Sequence, residues 1–487
     1  MLPMKNHNLL KQQAFINGQW HNAEEGKTFS VYNPATGQSI TDVALCGKAT
    51  TRGAIAAAEA ALTEWKDRPA KERAGYLRAW YDRIMENLDD LALLLTAEMG
   101  KPLDEARGEI AYGASYIEWF AEETKRIYGD TIPGPDAGKR LVCIKQPVGV
   151  VACITPWNFP NAMLCRKIAP ALAAGCTVVC KPATATPLSA LALAELSLQA
   201  GIPAGVINII AGHTSAIGQE LTENPLVRKL TFTGSTAVGK KLMAKCAATV
   251  KRTSLELGGN APFIVFDDAD IKAAVDGAIA SKYRNAGQTC VCANRLFVQA
   301  GVFEEFTKSL TAAVNSTLML GNGMNEDVTT GPLIDGKAAD KVMAIIEDAI
   351  SKGARVELGG KRADLGGSFI EPTILTNVNS TMRLYHEEIF GPVAPIFSFD
   401  TEEEALSLAN DTNLGLAAYF YSRDIGRVWR VSEGLEYGII GVNTGMISNE
   451  MAPFGGIKES GHGREGSKYG LDAYLEIKYL CMGGVDN

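Results

Sequence analysis

The segment from residue 149 to residue 257 constrains the fold most, because short apolar runs and helical runs alternate through it. The apolar runs are 149–154, 176–181, 206–210, 229–233 and 253–257. The helical runs between them are 161–174, 188–200, 215–223 and 236–248. Buried strands joined by helices form a parallel, doubly wound sheet. Such a sheet binds its ligand at the carboxyl ends of its strands, so the residues that follow each strand are candidates for a site.

Polar or flexible residues follow four of these five strands. Asn158 comes after the first strand, Lys181 ends the second, Gly234 and Ser235 follow the fourth, and Glu256 lies at the end of the fifth. Ser235 also precedes a helix, whose N-terminus can hold a phosphate. Each residue alone is equally compatible with a turn, a solvated lysine, a helix cap or an ion pair. Four polar groups at four strand ends of one sheet favour a binding site.

A second feature is the stretch 284–295, in which Gly287 precedes Cys290 and a helical run at 270–283 precedes both. Glycine allows a sharp turn here, which could hold the Cys290 thiol out towards a reacting carbon. A thiol reacts as the thiolate and therefore needs a base or a positive field nearby. The alternative is a small buried apolar residue, as most free cysteines are.

A second α/β block is predicted from residue 261 to about residue 455. Its strands are predicted at 262–266, 296–298, 394–399, 417–421 and 438–442. Its helices are predicted at 270–283, 302–316, 335–351 and 402–410. Before the first block, 15–20 reads as a strand with an Asn-Gly turn, and 49–99 and 103–128 read as helical.

Two alternating segments lie outside these blocks. Residues 140–146 alternate like an exposed strand, which suits an edge that pairs with another subunit. Residues 473–482 alternate as well and are predicted to pair with them. The run 461–466 formally matches the dinucleotide fingerprint but has no strand before it, so it is predicted to be a loop.

Composition excludes several classes of protein. A chain of 487 residues has room for two or three domains, and a net charge of −8 argues against nucleic acid or an anionic membrane as partner. The ten cysteines show no disulfide spacing and the first 13 residues lack an apolar core, so we expect a cytoplasmic protein. The five histidines show no metal-ligand spacing, and no metal is expected.

Seven motifs together resemble those of the aldehyde dehydrogenase superfamily, in the family's order and across nearly the whole chain. They lie at 155–160 (TPWNFP), 181–183 (KPA), 232–235 (FTGS), 256–260 (ELGGN), 287–290 (GQTC), 388–392 (EIFGP) and 453–456 (PFGG). The resemblance implies an aldehyde dehydrogenase-like α/β fold with two doubly wound domains and a small β oligomerisation arm. We expect a dinucleotide-binding domain at 1–127 and 147–257, a catalytic domain at 258–460, and bridging segments at 128–146 and 461–487. The resemblance also implies that the chain forms a homo-oligomer, a dimer of dimers.

The resemblance implies the chemistry of the site. Cys290 would attack the aldehyde and form a thiohemiacetal, and after hydride transfer a thioester. The Asn158 amide and the Cys290 backbone N–H would stabilise the oxyanion. Glu256 would activate the water that hydrolyses the thioester. The residues implied to bind the nicotinamide cofactor are Ile154, Thr155, Pro156, Trp157, Asn158, Lys181, Ala183, Thr184, Gly234, Ser235, Leu257, Glu388 and Phe390.

Thr184 bears on the choice of cofactor. Family members that prefer NAD typically carry Glu three residues after the lysine of this motif, and here that position is Thr184. A neutral hydroxyl beside Lys181 does not repel a 2′-phosphate, so we expect NADP to be preferred over NAD.

Within the family the chain most resembles succinate-semialdehyde dehydrogenases, through Arg166, Arg284, Ser448 and the Cys290–Cys292 pair. Two guanidinium groups suit a substrate with a distal carboxylate, because arginine binds carboxylates through two parallel hydrogen bonds. The alternatives are surface ion pairs for these arginines, and glutarate semialdehyde or a neutral aldehyde as the substrate. Cys292 is either a redox partner that resolves oxidised Cys290 as a disulfide, or a packing residue.

Two further classes stay open from the residues. A cysteine hydrolase would use Cys290, although no histidine lies in a motif that suggests a base. A non-catalytic protein on the same fold would have lost the nucleophile or the base, whereas Cys290, Glu256 and Asn158 are all present.

Overall fold

A computed structural model describes residues 2–484. The strands are β1 (Ala14–Ile16), β2 (Gln19–His21), β3 (Thr28–Tyr32), β4 (Ser39–Ala44), β5 (Asp130–Ile132), β6 (Lys139–Pro147), β7 (Val150–Ile154), β8 (Thr177–Lys181), β9 (Ile207–Ile209), β10 (Val227–Thr233), β11 (Arg252–Glu256), β12 (Ala261–Val265), β13 (Ala293–Gln299), β14 (Arg355–Leu358), β15 (Thr373–Thr376), β16 (Val393–Phe399), β17 (Leu414–Gly415), β18 (Ala417–Tyr421), β19 (Ile439–Val442), β20 (Ile457–Lys458), β21 (Gly461–His462) and β22 (Leu475–Gly483).

The helices cover the faces of the large sheets. They are α1 (Lys48–Asp67), α2 (Ala70–Glu86), α3 (Leu88–Met99), α4 (Leu103–Glu123), α5 (Ala162–Ala174), α6 (Leu188–Gln199), α7 (Thr214–Glu223), α8 (Thr236–Ala247), α9 (Ile271–Lys282), α10 (Phe303–Thr317), α11 (Gly336–Ser351), α12 (Arg383–His386), α13 (Glu402–Asn410) and α14 (Ile425–Gly434). No helix within residues 2–484 is both long enough and apolar enough to cross a bilayer.

The first large sheet has eight strands in the order β2-β1-β9-β8-β7-β10-β11-β21. Its five central strands are parallel, as the alternating segment predicts. All residues of β7 and β8 are buried, because helices cover both faces of the sheet. The carboxyl ends of these strands therefore meet at one edge, where the predicted polar residues lie.

The second large sheet has seven strands in the order β14-β15-β16-β13-β12-β18-β19. Its strands are parallel except for β14, which runs antiparallel to β15. The two mixed α/β sheets confirm the predicted fold class. The domain boundaries given above stay predictions.

A three-stranded antiparallel sheet, β22-β6-β5, forms a separate arm. Its register runs from Leu475 opposite Pro147 to Gly483 opposite Lys139, which confirms that the tail pairs with the alternating strand. The outer strand β22 exposes large apolar side chains, with Ile477 71% and Tyr479 57% exposed.

The prediction of a loop at 461–466 is wrong at its first two residues, which form β21. Gly461 and His462 pair with Glu256 and Leu255 of β11. A side chain at 461 would bring its Cβ within 1.8 Å of the Leu255 carbonyl oxygen, so only glycine permits this approach. The pairing places the segment after residue 461 beside the end of β11.

Candidate active site

Fourteen of the predicted site residues line one large cavity at the carboxyl edge of the first sheet. The cavity has a volume of about 500 Å³. The predicted residues that line it are Ile154, Thr155, Pro156, Trp157, Asn158, Lys181, Ala183, Thr184, Gly234, Ser235, Leu257, Cys290, Glu388 and Phe390. Strand order thus brings together groups that are up to 236 residues apart in the chain (390 − 154).

The loop that carries Cys290 has an unusual backbone. After α9, Asn285, Ala286 and Gly287 have φ angles of 54°, 53° and 75°, which lie in the left-handed region. A Cβ at Gly287 would lie 2.2 Å from the Gly391 carbonyl oxygen, so glycine is required there. Left-handed backbone at non-glycine residues is costly and persists only where the surroundings enforce it. The loop is therefore held in one conformation that presents Cys290 to the cavity.

The thiol of Cys290 is half-buried and lies in the field of two guanidinium groups. Burial raises its pKa to about 12, whereas the charges of Arg166 and Arg284 act in the opposite direction. The thiol is consequently protonated at neutral pH, and attack on a carbonyl carbon needs a group that removes its proton.

Asn158 is fixed beside this loop by three hydrogen bonds. Its side-chain Nδ2 donates to the Gln288 carbonyl oxygen at 2.9 Å. Its own carbonyl oxygen accepts from Lys101 Nζ at 2.8 Å and from Asn285 Nδ2 at 3.0 Å. An amide nitrogen has two N–H groups, so one remains for a ligand oxygen in the cavity.

Glu256 ends β11 and is buried, but it is not among the residues that line the large cavity. Neither carboxyl oxygen has a hydrogen-bond partner among the described residues. Burial and then the negative charge of Glu465 raise the pKa of Glu256 well above its ordinary value. A buried carboxyl group with free oxygens and a raised pKa suits a general base.

Arg166 does not line the cavity and instead belongs to a buried group of charges. Its Nη2 lies 2.8 Å from Glu465 Oε2, and its guanidinium lies 4.0 Å from the centre of the Phe454 ring. Lys167 Nζ contacts the other oxygen of Glu465 at 2.5 Å. Burial opposes the ionisation of Glu465, but Lys167 and Arg166 outweigh burial and lower its pKa. Arg166 is therefore partnered by a carboxylate of this chain.

Arg284 and Ser448 line a second, much smaller cavity of about 10 Å³. Val291, the neighbour of Cys290, also lines it. Arg284 is half-buried, and its guanidinium lies 5.3 Å from the centre of the Phe159 ring. These two predicted residues are thus together and close to the thiol loop, whereas Arg166 lies apart from both cavities.

The far end of the large cavity fits the phosphates and ribose of a dinucleotide. Lys181 is 4% exposed, and its ammonium donates to the Pro182 carbonyl oxygen at 3.1 Å. Burial lowers the pKa of Lys181 to about 8. The N-termini of α7 and α8 have no side-chain cap, which leaves backbone N–H groups for an anion.

Glu388 and Phe390 lie on the opposite wall of the large cavity. Glu388 Oε1 accepts a hydrogen bond from the Gly259 N–H at 3.2 Å, and burial raises the pKa of Glu388 to about 7. Phe390 has a φ of 55° and packs edge-on against Trp157 with ring centres 5.5 Å apart. Both side chains are held rigidly, as a ring-binding wall requires.

Cys292 is buried, and its thiol faces Lys282 rather than open space. Lys282 Nζ lies 3.4 Å from Cys292 Sγ, which in turn lies 3.4 Å from the Lys282 carbonyl oxygen. Burial raises the pKa of Cys292, and the Lys282 charge counteracts this rise. The contact supports a packing role and does not test the redox role.

Other lining residues are absent from the sequence-based set, among them Thr214, Lys341 and Ala338. Thr214 begins the helix after β9, so the strand-end rule could have found it. Its hydroxyl lies 3.4 Å from that of Thr184. Lys341 and Ala338 lie within α11, where no local pattern distinguishes them from ordinary surface residues.

Comparison with known proteins places this geometry in context. The model of the aldehyde dehydrogenase family matches residues 20–480. The chain is 61% identical to the glutarate-semialdehyde dehydrogenase of Pseudomonas aeruginosa, over 99% of this chain and 100% of the relative. It is also 61% identical to the NADP-dependent succinate-semialdehyde dehydrogenase of Escherichia coli, with the same coverage. The crystal structure of succinate-semialdehyde dehydrogenase from Burkholderia pseudomallei superposes with a TM-score of 0.98 at 60% identity, over 99% of this chain and 100% of that one.

Proposed function

This chain belongs to the aldehyde dehydrogenase family and is an NAD(P)-dependent enzyme, and we propose that it oxidises succinic semialdehyde to succinate with NADP. The observation that carries the substrate proposal is that Arg284 and Ser448 line the same small cavity, beside the thiol loop. A guanidinium and a hydroxyl there suit a carboxylate at the far end of a short aldehyde.

The reaction begins with the thiol of Cys290. As its proton leaves, the sulfur adds to the aldehyde carbon and gives a thiohemiacetal, whose oxygen becomes an anion. The free N–H of Asn158 and the backbone N–H of Cys290 stabilise this oxyanion. Glu256, buried and with a raised pKa, is the candidate to accept the thiol proton.

The second half of the reaction releases the acid. NAD(P), when bound, supplies the hydride acceptor. Once the carbon has been oxidised, Cys290 holds the product as a thioester. Glu256 first passes the thiol proton to solvent and then takes a proton from water, which adds to the thioester carbon. The C–S bond breaks, the product acid is released, and the proton held by Glu256 returns to the leaving thiolate. This sequence uses the carboxyl group as a base at a water molecule, which requires that Glu256 can reach the cavity that Cys290 lines.

Different walls of the large cavity are assigned to different parts of the cofactor. We assign the adenosine ribose to Lys181 and Ala183, the pyrophosphate to Gly234 and Ser235 at the start of α8, and the nicotinamide ribose and ring to Glu388 and Phe390. Thr184 supports NADP over NAD, because its hydroxyl brings no negative charge near a 2′-phosphate. The NADP-dependent relative from Escherichia coli agrees with this preference.

Glutarate semialdehyde is the second candidate substrate. A glutarate-semialdehyde dehydrogenase and a succinate-semialdehyde dehydrogenase match this chain at the same identity, 61%. Both aldehydes carry a distal carboxylate and differ by one methylene, which a pocket distinguishes by only about 1–3 kcal/mol. The carboxylate-binding residues are the same in either case.

A steady-state panel of aldehydes tests the proposal. Succinic semialdehyde, glutarate semialdehyde, butanal and pentanal are compared with NADP and with NAD at equal ionic strength. We expect the highest kcat/KM for succinic semialdehyde with NADP, and at least a tenfold lower kcat/KM for each neutral aldehyde of the same length. Equal values for the charged and neutral aldehydes would contradict the substrate proposal.

We also propose that the chain forms a homo-oligomer, a dimer of dimers, in the cytoplasm. The exposed apolar residues of β22 and its unpaired edge support association through the β22-β6-β5 arm. The ten cysteines are all free, in keeping with a reducing compartment. Light scattering on a variant with Ile477→Lys and Tyr479→Lys tests the first point, since a smaller particle is expected.

A further inference from the structure

Lys101 and Glu109 form an ion pair that is fully buried. Their side chains are 1% and 0% exposed, and Lys101 Nζ lies 2.5 Å from Glu109 Oε2. Bringing two charges out of water costs several kcal/mol, and well-packed apolar residues often stabilise a core as well or better. A buried pair is thus weak as a device for stability, and its contacts show what else it does.

Both charges contact the loop that carries Asn158. Lys101 Nζ donates to the Asn158 carbonyl oxygen at 2.8 Å and lies 3.8 Å from the centre of the Phe159 ring. Glu109 Oε1 accepts from the backbone N–H groups of Asn161 at 2.9 Å and Ala162 at 3.2 Å. The pair therefore forms hydrogen bonds at both ends of the turn between β7 and α5, at Asn158 and at Asn161 and Ala162.

The backbone that carries Lys101 is itself fixed. Lys101 follows Gly100, which ends α3 with a φ of 93°. A Cβ at Gly100 would lie 2.9 Å from Pro332, and a Cβ at Gly323 would lie 2.5 Å from the Lys101 carbonyl oxygen. This close packing fixes the backbone from which the Lys101 side chain extends, and the contacts of its ammonium group with Glu109 and Asn158 fix the other end.

The same carbonyl oxygen links the turn to the thiol loop. Asn285 Nδ2 donates to the Asn158 carbonyl oxygen at 3.0 Å, and Asn158 Nδ2 donates to the Gln288 carbonyl oxygen at 2.9 Å. The separation between the Asn158 amide and Cys290 is therefore set by a short chain of hydrogen bonds, and Lys101 anchors one end of it.

We propose that Lys101 and Glu109 are positioning residues, whose ion pair holds the Asn158 amide where it meets the oxyanion formed on Cys290. The proposal rests on the proposed role of Asn158 in the reaction. Neither residue lines the large cavity. Lys101 acts through the Asn158 carbonyl oxygen, and Glu109 acts through the backbone N–H groups of Asn161 and Ala162 and through its pair with Lys101. A donor displaced by about 1 Å loses much of its effect, since such errors can cost about 100-fold in rate.

The test is a double-mutant cycle between the ion pair and Asn158. The double variant Lys101→Met with Glu109→Gln removes both charges together, so that no unpaired charge stays buried. In the otherwise native enzyme we expect it to lower kcat with succinic semialdehyde by about 10-fold to 100-fold. The Kd for NADP, measured by calorimetry, should change less than twofold.

In an Asn158→Ala background the same double variant should lower kcat by less than twofold, because there is no amide left to position. An equal loss in both backgrounds, or no loss in the native background, overturns the inference. If Asn158→Ala alone keeps native kcat, the proposed role of Asn158 fails instead, which the cycle reports separately.

Glu98 provides a matched control. It is also fully buried, and it accepts from the first N–H groups of α6, Leu188 at 2.7 Å and Ser189 at 2.8 Å. Glu98→Gln should lower Tm but leave kcat within twofold of native. Should the double variant fold poorly, Glu109→Gln alone keeps an oxygen for Asn161 and Ala162. Burial lowers the pKa of Lys101, so without its carboxylate partner the lysine can lose its proton instead of remaining an unpaired charge. This variant should show a smaller kcat loss with the same dependence on Asn158.

Discussion

The two ends of the active site differ in how much space they leave for a ligand. The cofactor end is part of a cavity of about 500 Å³, whereas the cavity that Arg284 and Ser448 line has about 10 Å³. The first end is open in the absence of its ligand. The second is filled by side chains, so the proposed binding of a substrate carboxylate there requires that some of them move.

Two of the predicted site cations also differ in whether a carboxylate of this chain already pairs with them. Lys181, at the cofactor end, donates only to a carbonyl oxygen among the described residues. Arg166, whose charge acts on the Cys290 thiol although it lines neither cavity, is already paired with Glu465 at 2.8 Å. An unpaired buried cation is ready for a phosphate, whereas a paired guanidinium binds a substrate only by sharing or exchanging its partner.

The largest expected effect removes the chemistry and leaves the cofactor end intact. Cys290→Ser should lower kcat by more than about 1,000-fold, because an alcohol is a far weaker nucleophile at neutral pH. NADP should bind with native Kd, as calorimetry would show. A comparison variant, Glu256→Gln, should also lower kcat strongly, because it removes the base assigned both to the thiol and to the water. Native turnover in either variant would contradict the assigned roles.

The next largest effects are expected from substitutions of Arg284 and Arg166, which should differ in their effect on Tm. Arg284→Ala should lower kcat/KM for succinic semialdehyde by about 10-fold to 100-fold more than for butanal, since a charge-assisted contact contributes about 1.5–3 kcal/mol. Arg166→Ala should do the same and also lower Tm, because it removes one of the two cations that neutralise the buried Glu465 carboxylate. Equal losses on both aldehydes would show that these arginines serve structure only.

A change at the cofactor end should alter the choice of dinucleotide. Thr184→Glu places a carboxylate near the 2′-phosphate, and we expect it to reverse a preference for NADP into one for NAD. The measurement is the ratio of the two kcat/KM values, with Thr184→Val as a neutral control. A native enzyme that already prefers NAD tenfold, about 1.4 kcal/mol, would contradict the reading of Thr184.

The preference for NADP over NAD should also depend on pH, because Lys181 changes its charge. Its pKa is lowered to about 8, so the ammonium carries its charge below pH 8 and loses it above. We expect kcat/KM for NADP to fall several-fold relative to that for NAD between pH 7 and pH 9. The ratio cancels any titration of groups that act on both cofactors, and a constant ratio would exclude Lys181 as a partner of the 2′-phosphate.

The smallest effect on the untreated enzyme concerns Cys292. Cys292→Ala should leave kcat close to native, because the thiol lies against Lys282 and away from the cavity. After peroxide treatment the variant should lose activity irreversibly, if Cys292 normally resolves oxidised Cys290 as a disulfide that dithiothreitol reverses. Recovery of the variant equal to that of the native protein would leave Cys292 a packing residue.

The sequence by itself determined the parallel sheet and its binding edge. Alternating buried strands and helices admit few other arrangements, so the residues after β7, β8 and β10 had to converge. This is why Asn158, Lys181 and Gly234 could be found without coordinates. Motifs supplied Glu388 and Phe390, which lie in the loop between α12 and β16 of the second sheet and which no local rule would have connected to the first sheet.

Only the tertiary structure decided which charges are already paired. Arg166 and Glu465 are 299 residues apart (465 − 166), and nothing in either local sequence predicts their contact. The contacts of Lys101 and Glu109 with the Asn158 turn could not be predicted either. Lys101 lies just before α4 and Glu109 lies within it, and nothing in their local sequence distinguishes them from exposed charged residues. Strand pairing is a local consequence of periodicity, whereas the partner of a buried charge depends on how distant elements pack, and periodicity carries no information about that.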